Sequence, residues 1–98
     1  MIMRIFQVST HPGKEAEFAE FFHKTAIPMM QSTPGLLQLL PGTPHGDHPT
    51  EFSMVMVWDS LESLKAFVGE DYTEAHIDPS ERDLVRFRRI SHYELADA

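Results

Sequence analysis

At 98 residues, with 8 Lys and Arg against 15 Asp and Glu and a formal charge of −7, the chain reads as one domain whose surface repels phosphate backbones and anionic membranes. Neither nucleic acid nor a membrane is therefore an expected partner. The lack of cysteine removes disulfides, thiolate catalysis and thiolate metal sites; without a long apolar stretch or signal-peptide pattern at MIMRIFQVST, a cytoplasmic protein is expected.

Six elements follow in the order β-α-β-β-α-β. Ile2 to about Thr10 is rich in β-branched and aromatic residues and stops at the turn His11-Pro12-Gly13. Phe18, Phe21, Phe22, Thr25 and Met29 then fall on one helical stripe, with Glu15 and Glu17 in the first turn. Pro28 removes a backbone donor and is expected to kink or restart that helix, which Ser32-Thr33-Pro34-Gly35 ends. Leu36 to Leu40 is a short apolar strand closed by Pro41-Gly42, and Glu51 to Asp59 is the clearest strand. Asp59 or Ser60 is expected to cap a second helix, Glu62 completing a capping box with Asp59. Its buried stripe is Leu61, Leu64, Phe67 and Val68, and Gly69 suits its end. Tyr72 to Ile77 is read as one further helical turn, and Leu84 to about Leu95 as the last strand.

In the third strand Phe52, Met54, Met56 and Trp58 share one face while Val55 and Val57 share the other. The second strand is apolar on both sides as well. Two amphipathic helices cover one face of such a sheet, and nothing left in the chain covers the other. A second copy of the same sheet is the economical cover, so a homodimer is expected.

Several segments resemble the antibiotic-biosynthesis-monooxygenase family. They are Pro12-Gly13-Lys14-Glu15, Pro34-Gly35-Leu36, Val57-Trp58-Asp59-Ser60 running into the second helix, Gly69 to Ala75-His76, and His92-Tyr93-Glu94. The resemblance spans nearly the whole chain and implies an α+β ferredoxin-like subunit with an antiparallel sheet, paired into a dimeric α+β barrel. It also implies a pocket between sheet and helices, and one of two chemistries: cofactor-independent oxidation of quinols and polycyclic phenols, or haem degradation. The haem-degrading pattern has an Asn on the first strand, a Trp on the second helix and a haem-ligating His after it. This chain offers Gln7, Phe67 and His76 near those positions.

The expected reaction is a cofactor-independent monooxygenation of a small aromatic, quinol or polyketide-like substrate by O2. His76, beside Ala75 and Ile77, is the candidate base, because a histidine near neutrality suits deprotonation of a phenol. Tyr72 and Trp58 are the candidate positioning or oxyanion groups, and Gln7, Phe67 and His92 the candidate substrate contacts. Each has a structural alternative: helix-terminal histidine for His76, core for Trp58, snorkelling surface tyrosine for Tyr72, and local bonding for Gln7 and His92. Met29, Met30, Met54 and Met56 read as core or as an adaptable lining. Arg82, Arg86, Arg88 and Arg89 read as a solvated strand edge or an anion-steering patch. His45-Gly46-Asp47-His48 lacks the three or four fixed ligands of a metal site, so neither metal nor cofactor is expected. The alternative function is a non-catalytic ligand-binding or interaction dimer of the same fold.

Overall fold

The computed structural model describes residues 1–74 and 83–96. Its elements are β1 (Ile2–Thr10), α1 (Glu15–Phe21), a π-helical turn (Phe22–Ala26), α2 (Ile27–Gln31), β2 (Leu36–Gly42), β3 (Glu51–Trp58), α3 (Leu61–Val68) and β4 (Val85–Glu94). The strands form one antiparallel sheet in the order β2-β3-β1-β4. This is the expected α+β ferredoxin-like arrangement, with the first helix built in pieces.

The period-2 pattern of β3 decides where the core sits. Phe52, Met54, Met56 and Trp58 all point to the helix side and are at most 2% exposed. Val8 joins them from β1, and Phe18, Phe22 and Leu64 close over them from the helices. The ring of Phe52 lies 4.7 Å from Phe18 and 5.3 Å from Phe22, an aromatic knot that ties the first helix to the sheet. Each such side chain contributes about 1.5–3 kcal/mol by leaving water.

The first helix departs from its expected stripe. Pro28 has no N–H to give to the carbonyl four residues back, and the chain accommodates it by restarting: Ile27 N–H reaches back to the Phe22 carbonyl and Pro28 sits in the first turn of α2. The π-helical turn holds one residue more than an α turn, so the apolar phase slips by one. Met29, expected on the buried stripe, is instead exposed, and Ile27 and Met30 pack on the core in its place.

At α3 the cap is Ser60 rather than Asp59: the Ser63 N–H donates to Ser60 Oγ at 3.1 Å. Ser60 Oγ also donates to the Asp59 carboxylate at 3.1 Å, so Asp59 supports the cap and Glu62 forms no capping box. Gly35, at φ +87°, sits where a Cβ would run into the Ser63 side chain, and its carbonyl accepts from Asp59 N–H at 2.9 Å. The chain before β2 is thereby packed onto the start of α3.

The opposite sheet face carries Met3, Ile5, Val55, Val57, Leu40, Phe87 and Tyr93, as the pairing register requires. Leu40, Phe87 and Tyr93 are about half exposed there. Among the described residues no helix is long and apolar enough to cross a membrane.

Candidate functional site

On the helix side, β1 reads Ile2, Arg4, Phe6, Val8: three apolar residues and one cation. Arg4 is 5% exposed, one of two buried polar residues in that core. It pairs with His92 directly across the β1–β4 ladder. The alternation of β4 puts His92 and Ile90 on the helix side and leaves Ser91 and Tyr93 on the other.

The Arg4 Nη1 donates to the Tyr72 carbonyl at 2.8 Å and lies 3.0 Å from His92 Nε2. A guanidinium has no acceptor, so Nε2 accepts and the His92 ring proton belongs on Nδ1. The Tyr72 ring meets the His92 ring edge-on at 5.1 Å, and Lys65 Nζ lies 5.7 Å from the centre of the Tyr72 ring. Desolvation, and then the neighbouring Arg4 charge, lower the His92 pKa. This imidazole is therefore neutral at physiological pH. Burial also lowers the Arg4 pKa, but an arginine starts so high that it stays charged.

Trp58 ends β3 on the same face. It is fully buried and stacked on Phe67 of α3 at 5.6 Å. Its indole N–H has no hydrogen-bond partner. In the β1–β3 register Arg4 faces Met56, so Trp58 is its diagonal neighbour.

Of the candidate residues, the fold brings Tyr72 and His92 together, and Trp58 with Phe67. Gln7 does not join them: it pairs with Ser53 and Arg89 on the far face of the sheet. His76 lies outside the described residues, as does Arg82. Arg88 shares the helix side with Val8, while Arg89 lies against Phe87 at 6.0 Å. His45 and Asp47 bond at 3.0 Å on an exposed loop, and no group of three or more metal-ligating side chains forms among the described residues. Arg4 was missed by pattern reading, although one arginine among apolar residues of a central strand is a usable mark.

The antibiotic biosynthesis monooxygenase profile matches residues 1–79. The chain belongs to that family. Family members of known structure share its fold. A proposed antibiotic biosynthesis monooxygenase from Deinococcus radiodurans superposes with a TM-score of 0.76 at 18% identity, covering 100% of this chain and 95% of that one. A Shewanella oneidensis protein gives 0.77 at 14%, covering 94% and 87%. A heme-degrader from Mycobacterium tuberculosis, solved with two hemes in its active site, gives 0.70 at 16%, covering 100% and 98%. The fold is thus that of the dimeric α+β barrel. No curated protein matches the sequence.

Proposed function

We propose that this antibiotic-biosynthesis-monooxygenase family member is a cofactor-independent monooxygenase, oxidising a small aromatic, quinol or polyketide-like substrate with O2 between the sheet and α3. The observation that carries this reading is the pairing of an aromatic wall, Trp58 on Phe67, with a small polar group of Arg4, His92 and Tyr72 on an otherwise apolar face. An apolar pocket with few polar groups is what a planar phenol needs. The base deprotonates the ring hydroxyl, the electron-rich anion gives an electron to O2, and recombination at ring carbon forms a peroxide. Loss of water leaves the quinone, so a phenol plus O2 becomes a quinone plus H2O. His76 is the proposed base, because His92 Nε2 is already engaged by Arg4. Tyr72 and Trp58 orient the ring.

The second copy of the chain belongs to this reading. A homodimer covers Leu40, Phe87 and Tyr93, which stand exposed on the outer sheet face, and family members typically form dimeric barrels. Gln7 then faces the partner sheet.

Oxygen uptake by the pure protein with a panel of quinols and polycyclic phenols tests the reaction. Uptake above autoxidation that disappears in His76→Ala is expected. Uptake that survives the substitution removes His76 as the base, and silence across the panel favours a ligand-binding dimer. Haem is read separately by titration: a Soret shift lost in His76→Ala would move the chain to the haem-degrading branch.

A further inference from the structure

Arg4 is a buried cation in search of a counter-charge. It is 5% exposed, and none of the ion pairs formed among the described residues includes it. Its two partners are a backbone carbonyl and an imidazole nitrogen, both served by Nη1. A guanidinium has five N–H donors, so the Nη2 and Nε edge of the fork remains for something else. A buried charge is tolerated only when it is paired or hydrogen-bonded on all sides.

A second, independent observation lies on the same face. The Trp58 N–H is fully buried and has no partner, and the register places Trp58 diagonally across from Arg4, a separation of about 7–8 Å between Cα atoms. The His92 Nδ1–H completes the set, since its Nε2 accepts from Arg4. Every side-chain group named here is a donor. Such a set is complementary to an acceptor that carries negative charge.

We propose that Arg4 is an anion anchor, and that the ligand of this pocket is a small aromatic bearing one oxyanion, either a carboxylate or an ionised ring hydroxyl. The guanidinium edge takes the oxyanion, and the indole of Trp58 and ring of Phe67 take the apolar body. The chain's overall charge of −7 selects against polyanions at long range, which restricts the ligand to a single charge on a hydrophobic frame. This rests on placing the pocket where the proposed function does, but it is independent of whether oxygen chemistry follows. Arg4 would bind an inert ligand as well as a reactive one.

The test is equilibrium binding of 4-nitrobenzoate, 4-nitrobenzamide and 4-nitrophenol to the whole protein, followed by quenching of Trp58, the sole tryptophan. The visible band of the nitrophenolate reads the ionisation state of bound nitrophenol directly. The expected result is at least tenfold tighter binding of the benzoate than of the neutral amide, and a lowered apparent pKa for bound nitrophenol. Both effects should be lost in Arg4→Gln and partly kept in Arg4→Lys. The two arms also separate the sources: benzoate preference alone assigns a carboxylate, and a nitrophenol shift alone assigns an ionised hydroxyl. Equal affinity for benzoate and amide together with an unshifted nitrophenol overturns the proposal. So does a charge preference that survives in Arg4→Gln, or no binding by any of the three. If Arg4→Gln fails to fold, the comparison of benzoate with amide in the unaltered protein still decides. No oxygen uptake enters these readings, so a catalytically silent protein that prefers the anions would sink the monooxygenase and keep the anchor.

Discussion

Arg4 and His92 face each other across the β1–β4 ladder, and the arginine Nη1 approaches the histidine Nε2 to 3.0 Å. The contact ties two strands through side chains as well as backbone. It also makes the imidazole an acceptor, a role that protonation would abolish by setting a cation against a cation.

A pH dependence follows from that contact. The His92 pKa is lowered, by desolvation first and by Arg4 second, so below the ordinary histidine range the unfolded chain binds this proton and the folded one does not. Stability is full above about pH 6.5 and falls as pH drops through that value toward the lowered folded pKa. Urea midpoints measured between pH 5 and 7.5 should decline on acidification, with a shallower slope in His92→Gln. Parallel slopes in the two proteins would show that His92 is not the group responsible. By NMR titration, Arg4→Met should raise the His92 pKa, because one of the two lowering causes is gone.

Gly35 and Gly13 share φ +87° but not surroundings: a Cβ at Gly35 meets Ser63, and at Gly13 it meets nothing within 4 Å. Gly13→Ala should cost about 1 kcal/mol from the backbone alone. Gly35→Ala should cost at least about 2 kcal/mol, or roughly 10 °C in Tm for a domain of this size. Equal losses in thermal melts would mean that the β2 lead-in is not packed on α3 as described.

The slipped phase of the first helix has its own test. Met29→Ala, at an exposed site, should change stability by less than about 0.5 kcal/mol. Met30→Ala, at a residue packed on the core, should cost about 1–2 kcal/mol. Chemical denaturation of the two variants would show the reverse order if α1 and α2 formed one regular helix.

The homodimer predicts that Leu40→Lys separates the subunits, since Leu40 stands about half exposed on the outer sheet face and a buried unpaired charge is costly. Light scattering should give a dimer for the unaltered protein and a monomer for the variant. A stable monomer for both at micromolar concentration would leave the outer face to some other cover.

The element order, the core face of β3 and the apolar character of both sheet faces were legible from the sequence alone. They depend on periods of two and 3.6 residues and on turn chemistry, which act within a few residues of chain. Family membership followed from short motifs spread along the chain, and the match over residues 1–79 upheld it. The Met29 expectation failed because helical period assumes an unbroken α turn, while Pro28 was absorbed by an extra residue upstream. The cap fell to Ser60 because side-chain geometry, not spacing, decides between adjacent candidates.

The site divides along the same line. Tyr72, Trp58, Phe67 and His92 could be named from residue type, but their grouping and the exclusion of Gln7 required the strand register, in which a shift of one residue exchanges the faces. Arg4 and His92 are 88 residues apart in sequence, and no local period connects them. Only the tertiary structure could turn one arginine in an apolar strand into a buried, uncompensated charge, because desolvation is a property of everything packed around a residue rather than of the residue itself.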